Sequence, residues 1–402
     1  MLGSIYIGLS GMTAYSKGLD TVSNNVANLN TAGFKSSQPT FYDVLFRNNA
    51  GSIAGSGGAP TGGAGVEIDM GRQSFKQGEL RDTGNPLDVA IDGDGFFVIE
   101  RGDDWLFTRA GQFEFDKDGV LVERSTRAKA LVTTATEGGT TFDLDGYRVF
   151  PPKATSEVTL TGTLARTGTA TYDLANIDVL DSGGGKQTLK AHFTRDATDS
   201  LKWTVEVSDA SNKVLGRGVL QFNEDGTPVE GTGPITLEVA PEGQAPFSVA
   251  FKTGDSSSFL GITSVAGATQ SQMSVSKRDG VQLGTLVGTS FDDRGQIILT
   301  YTNGEKLRPA TLLIAQFTAP DQFRSLGSGL YSAFENQRPQ LATAQTGGRG
   351  RVVGSKVEMS NVDLTQQFSD LIIIQRGFQA SSQMTSVANE MIQQLLAMAQ
   401  KQ

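Results

Sequence analysis

The stretch NNVANLNTAGFKSSQPTF, Asn24–Phe41, marks the point where a helical pattern gives way to a strand-rich chain. Upstream of it, apolar residues recur every three or four positions, which predicts one helix from about Leu2 to Leu29. Gly33 lies where a helix exit favours a left-handed residue, and Phe34 is placed to fold back onto the last turn. The apolar stripe of this helix consists of Leu2, Ile5, Leu9, Met12, Tyr15, Leu19, Val22, Val26 and Leu29.

This first helix needs a packing partner. Lys17 and Asp20 are its only charged residues, and it contains glycines at positions 3, 8, 11 and 18. Each glycine costs about 1 kcal/mol of helix propensity relative to alanine, so the segment is expected to be poorly helical alone. The partner has to come from elsewhere in the chain.

A second helix is predicted at the other end of the sequence. In SNVDL, Ser360 is expected to accept a hydrogen bond from the Asp363 amide, while the Asp363 carboxylate lies at the positive end of the helix. The apolar spacing is close to a heptad repeat and favours a coiled coil with the first helix. These apolar positions are Leu364, Phe368, Leu371, Phe378, Met384, Val387, Met391, Leu395 and Met398.

Strand and turn signals dominate between the two helices. Residues 51–65 form a glycine-rich segment that is flexible by composition. Asn85–Glu100 predicts two strands around a tight turn, and Phe107–Glu123 predicts strands joined by the DKDG turn. The predicted fold is therefore mainly β with terminal α-helices, in which the N- and C-terminal helices pair as a coiled coil and two nested antiparallel β domains are inserted between them.

Three domains are expected from this arrangement. The predicted limits are residues 1–70 and 355–402 for an inner helical domain plus connector, 71–146 and 271–354 for an inner β domain, and 147–270 for an outer β domain.

Composition excludes several functions. The net charge of −9 argues against nucleic-acid binding, and the absence of cysteine excludes disulfides and thiolate chemistry. Residues 1–20 do not resemble a cleaved signal peptide, and no run approaches the roughly 20 apolar residues that membrane insertion needs. We expect no cofactor or metal: His192 has no catalytic companion, and Asp92 and Asp94 fit a turn better than a calcium loop.

Three segments resemble bacterial flagellar axial proteins of the rod, hook and junction. The quoted stretch is similar to their N-terminal signature, and Ser360–Met384 is similar to their C-terminal signature. Thr83–Ile99, together with the Phe107–Glu123 segment, resembles the first β domain of rod and hook members. About 125 extra residues lie between the two halves of that domain, which favours a hook-type member over a distal rod or hook–filament junction subunit, the alternative.

The resemblance implies a structural subunit and no enzyme. It implies self-assembly into a curved, flexible tube, a universal joint that passes motor torque to the filament and encloses the export channel. The implied partners are further copies of the chain, the distal rod protein, the hook–filament junction protein, the hook cap protein and the flagellar type III export apparatus. The implied location is extracellular, in the hook next to the cell surface, reached without cleavage of a signal peptide.

Two groups of residues are candidates for this assembly. The first group comprises apolar positions of both helices that are assigned to polymerisation and helix packing. These residues are Leu9, Met12, Tyr15, Leu19, Val22, Val26, Leu29, Leu364, Phe368, Leu371, Phe378, Met391 and Leu395. The signature residues carried over from the family are Asn24, Asn25, Ala27, Asn28, Gly33, Phe34, Lys35, Ser360, Asn361, Val362 and Asp363. A β-rich polysaccharide hydrolase is the competing class; it would need paired carboxylates in a cleft, and no such motif is visible.

Overall fold

The computed structural model describes residues 2–45, 63–69, 72–134, 137–230, 234–240, 245–255, 258–318, 323–333 and 338–399. Two α-helices occur within these ranges, α1 (Leu2–Ala27) and α2 (Leu364–Ala399), and a short 3-10 helix spans Asp145–Tyr147. The other regular elements are strands. Both terminal helices and the mainly β class are thus confirmed.

The chain divides into two compact units. The first comprises Met1–Asp145, Thr289–Leu299 and Leu307–Gln402, and the second comprises Gly146–Gly288 and Thr300–Lys306. The second unit includes residues up to Gly288, whereas the predicted outer β domain ends at residue 270. The three-domain division itself stays a prediction.

The strands of the first unit fall in two groups along the sequence. The first group is β1 (Thr40–Leu45), β2 (Gly63–Asp69), β3 (Leu80–Asp82), β4 (Val89–Asp92), β5 (Phe96–Arg101), β6 (Asp104–Thr108), β7 (Phe113–Phe115), β8 (Leu121–Glu123), β9 (Lys129–Thr133) and β10 (Gly138–Thr141).

The strands of the second unit are β11 (Val149–Phe150), β12 (Glu157–Thr163), β13 (Thr171–Leu180), β14 (Lys186–Arg195), β15 (Lys202–Ser208), β16 (Val214–Gln221), β17 (Ile235–Val239), β18 (Phe247–Lys252), β19 (Ile262–Thr263) and β20 (Gln272–Arg278). Three strands cross the borders between the units: β21 (Gly284–Phe291), β22 (Ile297–Tyr301) and β23 (Lys306–Leu307). The chain then completes the first unit with β24 (Thr311–Leu312), β25 (Ile314–Gln316), β26 (Arg324–Gly327), β27 (Leu330–Ser332), β28 (Gln340–Ala342), β29 (Arg351–Gly354) and β30 (Lys356–Glu358).

An eleven-stranded sheet forms the body of the first unit. Its main path is β26-β27-β6-β5-β9-β8-β7, with β10 and β24 on β9 and with β25 joining β5 to β28. Its core includes a cluster of aromatic rings, in which Phe96 and Phe107 pack with Phe317, Phe323 and Tyr331. Chain segments that precede and follow the second unit in the sequence therefore share one core.

The tight turn predicted within Asn85–Glu100 is present, with Gly93 and Gly95 at φ +109° and +135°. The strands on either side of it are not paired with each other: β4 pairs with β29, whereas β5 pairs with β6, β9 and β25. The turn therefore passes the chain from one sheet to another. The DKDG turn does join two paired strands, β7 and β8.

Most of the predicted glycine-rich connector lies outside the described residues. Its last part does not fit the prediction, because residues 63–65 belong to β2, which pairs antiparallel with β1. Backbone hydrogen bonds to β1 override the weak strand preference of glycine. β1 and β2 together form the β1–β2 hairpin. This hairpin packs along α1, where the Val66 amide donates to Ser10 Oγ at 3.2 Å.

Two of the sheets in the second unit share a core. One has the order β13-β14-β15-β16 and the other β17-β18-β12-β19, with β20 on β12. Alternate residues of both sheets are buried in the core, as in β15, where Trp203, Val205 and Val207 are buried. The pairing departs from a purely antiparallel pattern, because β12 runs parallel to β18 and β19.

Asp279 directly follows β20 in the second unit. Its carboxylate accepts from the Ser156 amide and hydroxyl at 2.8 and 2.6 Å, from the Glu157 amide at 2.8 Å and from Lys153 Nζ at 3.1 Å. Burial alone would raise the pKa of Asp279, but the hydrogen bonds from Ser156, Glu157 and Lys153 outweigh it and hold the pKa well below its usual range.

We expect Asp279→Asn to lower the unfolding free energy of the second unit by about 1–2 kcal/mol at pH 7. A depressed folded-state pKa stabilises the protein above the unfolded pKa of roughly 4, so the difference should shrink as the pH falls below that value. Fluorescence of the buried Trp203 in a Trp105→Phe background follows this unit. Asp173→Asn, at a residue that is 77% exposed, is the control. A pH-independent difference would contradict the assignment.

Candidate functional site: the paired terminal helices and their polar junction

The two helices pair antiparallel. Gly8 and Gly11 of α1 lie against Ser381, Gly18 lies against Ile374, and Asn25 Nδ2 donates to Gln367 Oε1 at 2.8 Å. Residue numbers therefore rise along α1 as they fall along α2. The predicted pairing of the terminal helices is confirmed.

Small residues make the seam between the helices. A Cβ atom added to Gly8 would lie 2.3 Å from Thr385 Oγ1, and one added to Gly11 would lie 2.6 Å from Ser381 Oγ. On α2, a Cβ on Gly377 would lie 2.4 Å from the Tyr15 ring. The glycines that weaken helix propensity are thus the residues that let the two backbones approach closely. In α1 the seam occupies positions 8, 11, 15, 18, 22 and 25, with the three-and-four spacing of a coiled coil.

Most of the apolar residues predicted to pack the two helices together do not lie in the seam between α1 and α2. Tyr15 contacts Gly377 and Val22 is fully buried, but Leu9 is 51% exposed and Phe368 is 55% exposed. Leu364, Phe378, Met391 and Leu395 are exposed as well, while Met12, Leu19, Val26, Leu29 and Leu371 are half-buried. No helix in the described part of one chain covers these exposed residues. Their role in polymerisation stays a prediction.

The start of α2 is capped differently from the prediction. Asp363 is the capping residue, because its Oδ1 accepts from the Thr365 amide at 2.8 Å and from the Gln366 amide at 3.3 Å. Ser360 instead accepts from the Val362 amide at 3.4 Å. The expected hydrogen bond from Asp363 to Ser360 is therefore wrong, whereas the carboxylate at the helix N-terminus is correct. Since α2 begins one residue after Asp363, Ser360 lies too far upstream to cap it.

Gly33 has the predicted left-handed conformation, with φ +69°, but it does not end the helix. α1 ends at Ala27, and Gly33 lies in the turn that follows. The Gly33 amide donates to the Glu358 carbonyl at 2.7 Å, and a Cβ there would lie 2.5 Å from the Ala110 amide nitrogen. Glycine is needed because three distant segments of backbone meet at this position.

Beside Gly33 lies a buried ionic triad formed by Lys35, Arg109 and Glu358. Lys35 Nζ lies 2.6 Å from Glu358 Oε1, and Arg109 Nη1 lies 3.3 Å from Glu358 Oε2. The Lys35 and Glu358 side chains are fully buried and Arg109 is 3% exposed. Glu358 Oε1 also accepts from the Gly78 amide, and Lys35 donates to the Lys76 carbonyl. One carboxylate thus holds two cations that come from distant parts of the sequence.

The electrostatics of the triad follow from its burial. Loss of water lowers the pKa of Lys35, and the nearby Arg109 charge lowers it further, against the opposing effect of Glu358. Burial, followed by the negative charge of Glu358, raises the pKa of the neighbouring Tyr331 phenol. Both buried cations therefore depend on the negative charge of Glu358.

Side-chain amides extend the junction to both helices. Asn25 Oδ1 accepts from the Ser37 amide at 3.0 Å and Asn25 Nδ2 donates to the Ser37 carbonyl at 2.8 Å. Asn361 Oδ1 accepts from the Ser36 amide, and its Nδ2 donates to the carbonyls of Ser74 and Lys76. The buried Asn25 and the half-buried Asn361 make the N-terminal and C-terminal signatures complementary to each other.

The remaining signature residues surround this junction. Asn24 and Asn28 hydrogen-bond to each other at the end of α1, where Ala27 is the last helical residue. The Phe34 carbonyl accepts from the Asn361 amide, and Val362 is buried. The sequence pattern missed Arg109 and Glu358. Arg109 directly follows β6 and Glu358 is the last residue of β30, so in the sequence each looks like an ordinary charge at the end of a strand.

In the described part of the chain, no group of three or more His, Asp or Glu side chains could hold a metal ion. His192 pairs with Asp173 at 2.5 Å, with both side chains substantially exposed. In the same described residues, no helix is long and apolar enough to span a bilayer.

Three segments of this chain match models of known protein families. Residues 5–35 match the family model for flagella basal body rod proteins, residues 90–161 the model for the D1 domain of flagellar hook proteins FlgE/F/G, and residues 354–398 the C-terminal model of basal body rod FlgEFG proteins. The flagellar hook protein FlgE of Borreliella burgdorferi is 26% identical over 98% of this chain and 99% of its own length.

The chain resembles flagellar rod and hook proteins along nearly its whole length.

Other hook proteins align over nearly the whole chain. FlgE of Escherichia coli is 25% identical over 96% of this chain and 98% of its own length. The crystal structure of Helicobacter pylori flagellar hook protein FlgE2 aligns at 12% identity with a TM-score of 0.48, covering 69% of this chain and all of that one. Flagellar rod and hook proteins are structural subunits and not enzymes, so the competing hydrolase hypothesis is excluded. The hook family also implies a self-polymerising subunit that forms part of the bacterial flagellum.

Proposed function

We propose that this chain is the subunit of a curved, flexible hook that transmits motor torque to the flagellar filament and encloses the export channel. In this proposal the subunit lies outside the cell, is exported by the flagellar type III apparatus without signal cleavage, and contacts the distal rod, junction and cap proteins. The observation that carries it is similarity to hook proteins over nearly the full length, rather than over the terminal signatures alone. A shorter rod subunit would lack the counterpart of the second unit.

The paired helices support assembly through their uncovered apolar residues. Ile372, Ile373 and Met384 of α2 are 58–66% exposed, and Tyr6 of α1 is 66% exposed. Monomeric soluble proteins rarely leave so many large apolar side chains uncovered on one element. Burial against other copies would remove this surface from water.

We assign the glutamine-rich face of α2 to the channel wall. Gln383 and Gln394 are exposed and lie eleven residues apart, which places them three turns apart on the same face of the helix. In the described residues from Gly377 onward, Glu390 is the only charged side chain. Neutral amides hold neither charged nor apolar stretches of a passing polypeptide strongly.

Replacement of Gln383 or Gln394 with lysine is expected to slow export of distal subunits and shorten filaments to about half their length or less, because fixed positive charge would retain acidic segments. Filament length measured by electron microscopy tests this. Glutamine-to-asparagine variants at the same positions serve as controls. Normal filament growth in the lysine variants would contradict the channel assignment.

An epitope inserted between Ser211 and Asn212 tests the proposed function. These residues lie in the exposed turn between β15 and β16. Immunogold labelling of isolated flagella is expected to mark only the short curved segment between basal body and filament. Gold on the rod or the hook–filament junction would move the protein to another member of the family. An unlabelled flagellum, with the tagged chain exported, would refute a flagellar role.

A further inference from the structure

An open groove of about 420 Å³ lies between α1 and the β1–β2 hairpin. On the helix side its lining includes Tyr6, Leu9 and Thr13, and on the hairpin side Val66 and Ile68. Tyr6 and Leu9 are more than half exposed at its edge. Over the eleven residues from Tyr6 to Lys17 the groove runs about 16 Å along α1. Its two charged lining residues, Lys17 and Glu67, have opposite signs, and polar side chains such as Ser10 alternate with apolar ones, so the groove has a mixed lining without net charge.

The second half of α2 carries an apolar strip that α1 does not cover. We call it the distal flank; its residues are Met384, Val387, Met391, Leu395 and Met398, each 44–69% exposed. At about 100° per residue, this strip lies roughly 80° around the helix from the seam formed by Ser381, Thr385 and Ala388. It extends about 21 Å along the axis, enough to fill a groove of 16 Å.

The groove and the distal flank cannot meet within one chain. On α1, the groove residues Tyr6, Leu9 and Thr13 lie on the side of the helix away from the seam residues Gly8 and Gly11, which contact α2. The body of α1 therefore separates the groove from the α2 of its own chain. No segment among the described residues covers either feature, so both are available to another molecule.

We propose that the groove between α1 and the β1–β2 hairpin receives the distal flank of α2 from a second copy of this chain. The inference rests on the proposed self-assembly and specifies one of its contacts. The two surfaces differ, so the contact is heterologous and leaves a free groove at one end and a free flank at the other. Such a contact propagates into an open helical array rather than closing as a dimer. The distal flank is apolar and the groove lining carries no net charge, so the contact buries no uncompensated charge.

Cysteine cross-linking tests the contact cleanly, because the natural chain contains no cysteine. Two differently tagged copies, one with Thr13→Cys and one with Met391→Cys, are co-expressed and their assembled hooks are oxidised. We expect a disulfide-linked species carrying both tags, at least about tenfold more abundant than with the control Asn389→Cys. Asn389 is exposed and lies on the other side of the seam, two residues from Met391.

A second probe keeps the test decisive if the cysteine variants assemble poorly. A photoreactive phenylalanine analogue in place of Tyr6 preserves an aromatic ring at the groove edge, and mass spectrometry of the cross-linked peptides is expected to identify residues 384–398 of another copy. Capture of other peptides, or equal cross-linking at Asn389, would overturn the proposed contact. Hooks that carry the epitope label but give no such cross-link would refute the proposed contact and leave the hook function intact. Absence of the label from hooks would instead refute the hook function itself.

Discussion

Replacement of Glu358 with alanine is expected to lower the unfolding free energy of the first unit by about 3–5 kcal/mol. The reason is the burial of Lys35 and Arg109, at 0% and 3% exposure, which would face each other without a counter-charge. Urea unfolding followed by circular dichroism at 222 nm reports on this unit, because both described α-helices belong to it.

Asp82→Ala is the matched control. Asp82 also pairs with a lysine, Lys356 of β30, at 3.1 Å, but its side chain is 79% exposed. Surface pairs of this kind contribute less than about 1 kcal/mol. Glu358→Gln, which keeps the shape and removes the charge, should restore less than half of the loss. Equal effects of Glu358→Ala and Asp82→Ala would show that the triad does not hold the junction together.

Alanine substitutions at two helical glycines are expected to have opposite signs. Gly377→Ala should destabilise the helix pair by about 2 kcal/mol and prevent hook formation, because its Cβ would lie 2.4 Å from the Tyr15 ring. Tyr15 also packs on Phe41 at 5.2 Å between ring centroids, which limits its retreat. At Gly3 nothing lies within 4 Å, so alanine there should stabilise α1 by about 0.5–1 kcal/mol through propensity alone.

Thermal unfolding of the purified chain and counts of hooks in cells measure the two effects. If Gly377→Ala stabilises the protein as Gly3→Ala does, helix propensity outweighs packing at Gly377 and the close seam is not required. A third substitution, Ala380→Val, at an exposed position one turn away, controls for a general effect of added volume on α2.

The sequence predicted the two helices, the strand-rich interior and the family, because these depend on local periods and on short signatures. It misassigned the seam. A three-and-four period of apolar residues marks a face that becomes buried, but not which molecule covers it, so Phe368 and Leu395 looked the same as residues of an internal seam. Glycine was counted only by its helix propensity, whereas in the folded chain Gly8, Gly11 and Gly377 make room for the opposite helix.

Contacts between residues far apart in the sequence could not be predicted from local patterns either. β4 and β29 are paired although the chain between them includes the whole second unit, and nothing in Val89–Asp92 indicates that partner. The triad joins residues 323 positions apart, Lys35 and Glu358, and each alone looks like an ordinary surface charge. Only the folded structure shows that the two signatures contact each other.

The separation between Lys35 and Glu358 also sets an order in time. Ribosomes add roughly 5–20 residues per second, so about 15–65 s pass between synthesis of Lys35 and of its acceptor 323 residues later. During that interval the second unit has been completed, since its last segment ends at Lys306, while α1 still has no helix to pair with. A newly made chain therefore passes through a stage in which the second unit is complete and the N-terminal helix is still unpaired.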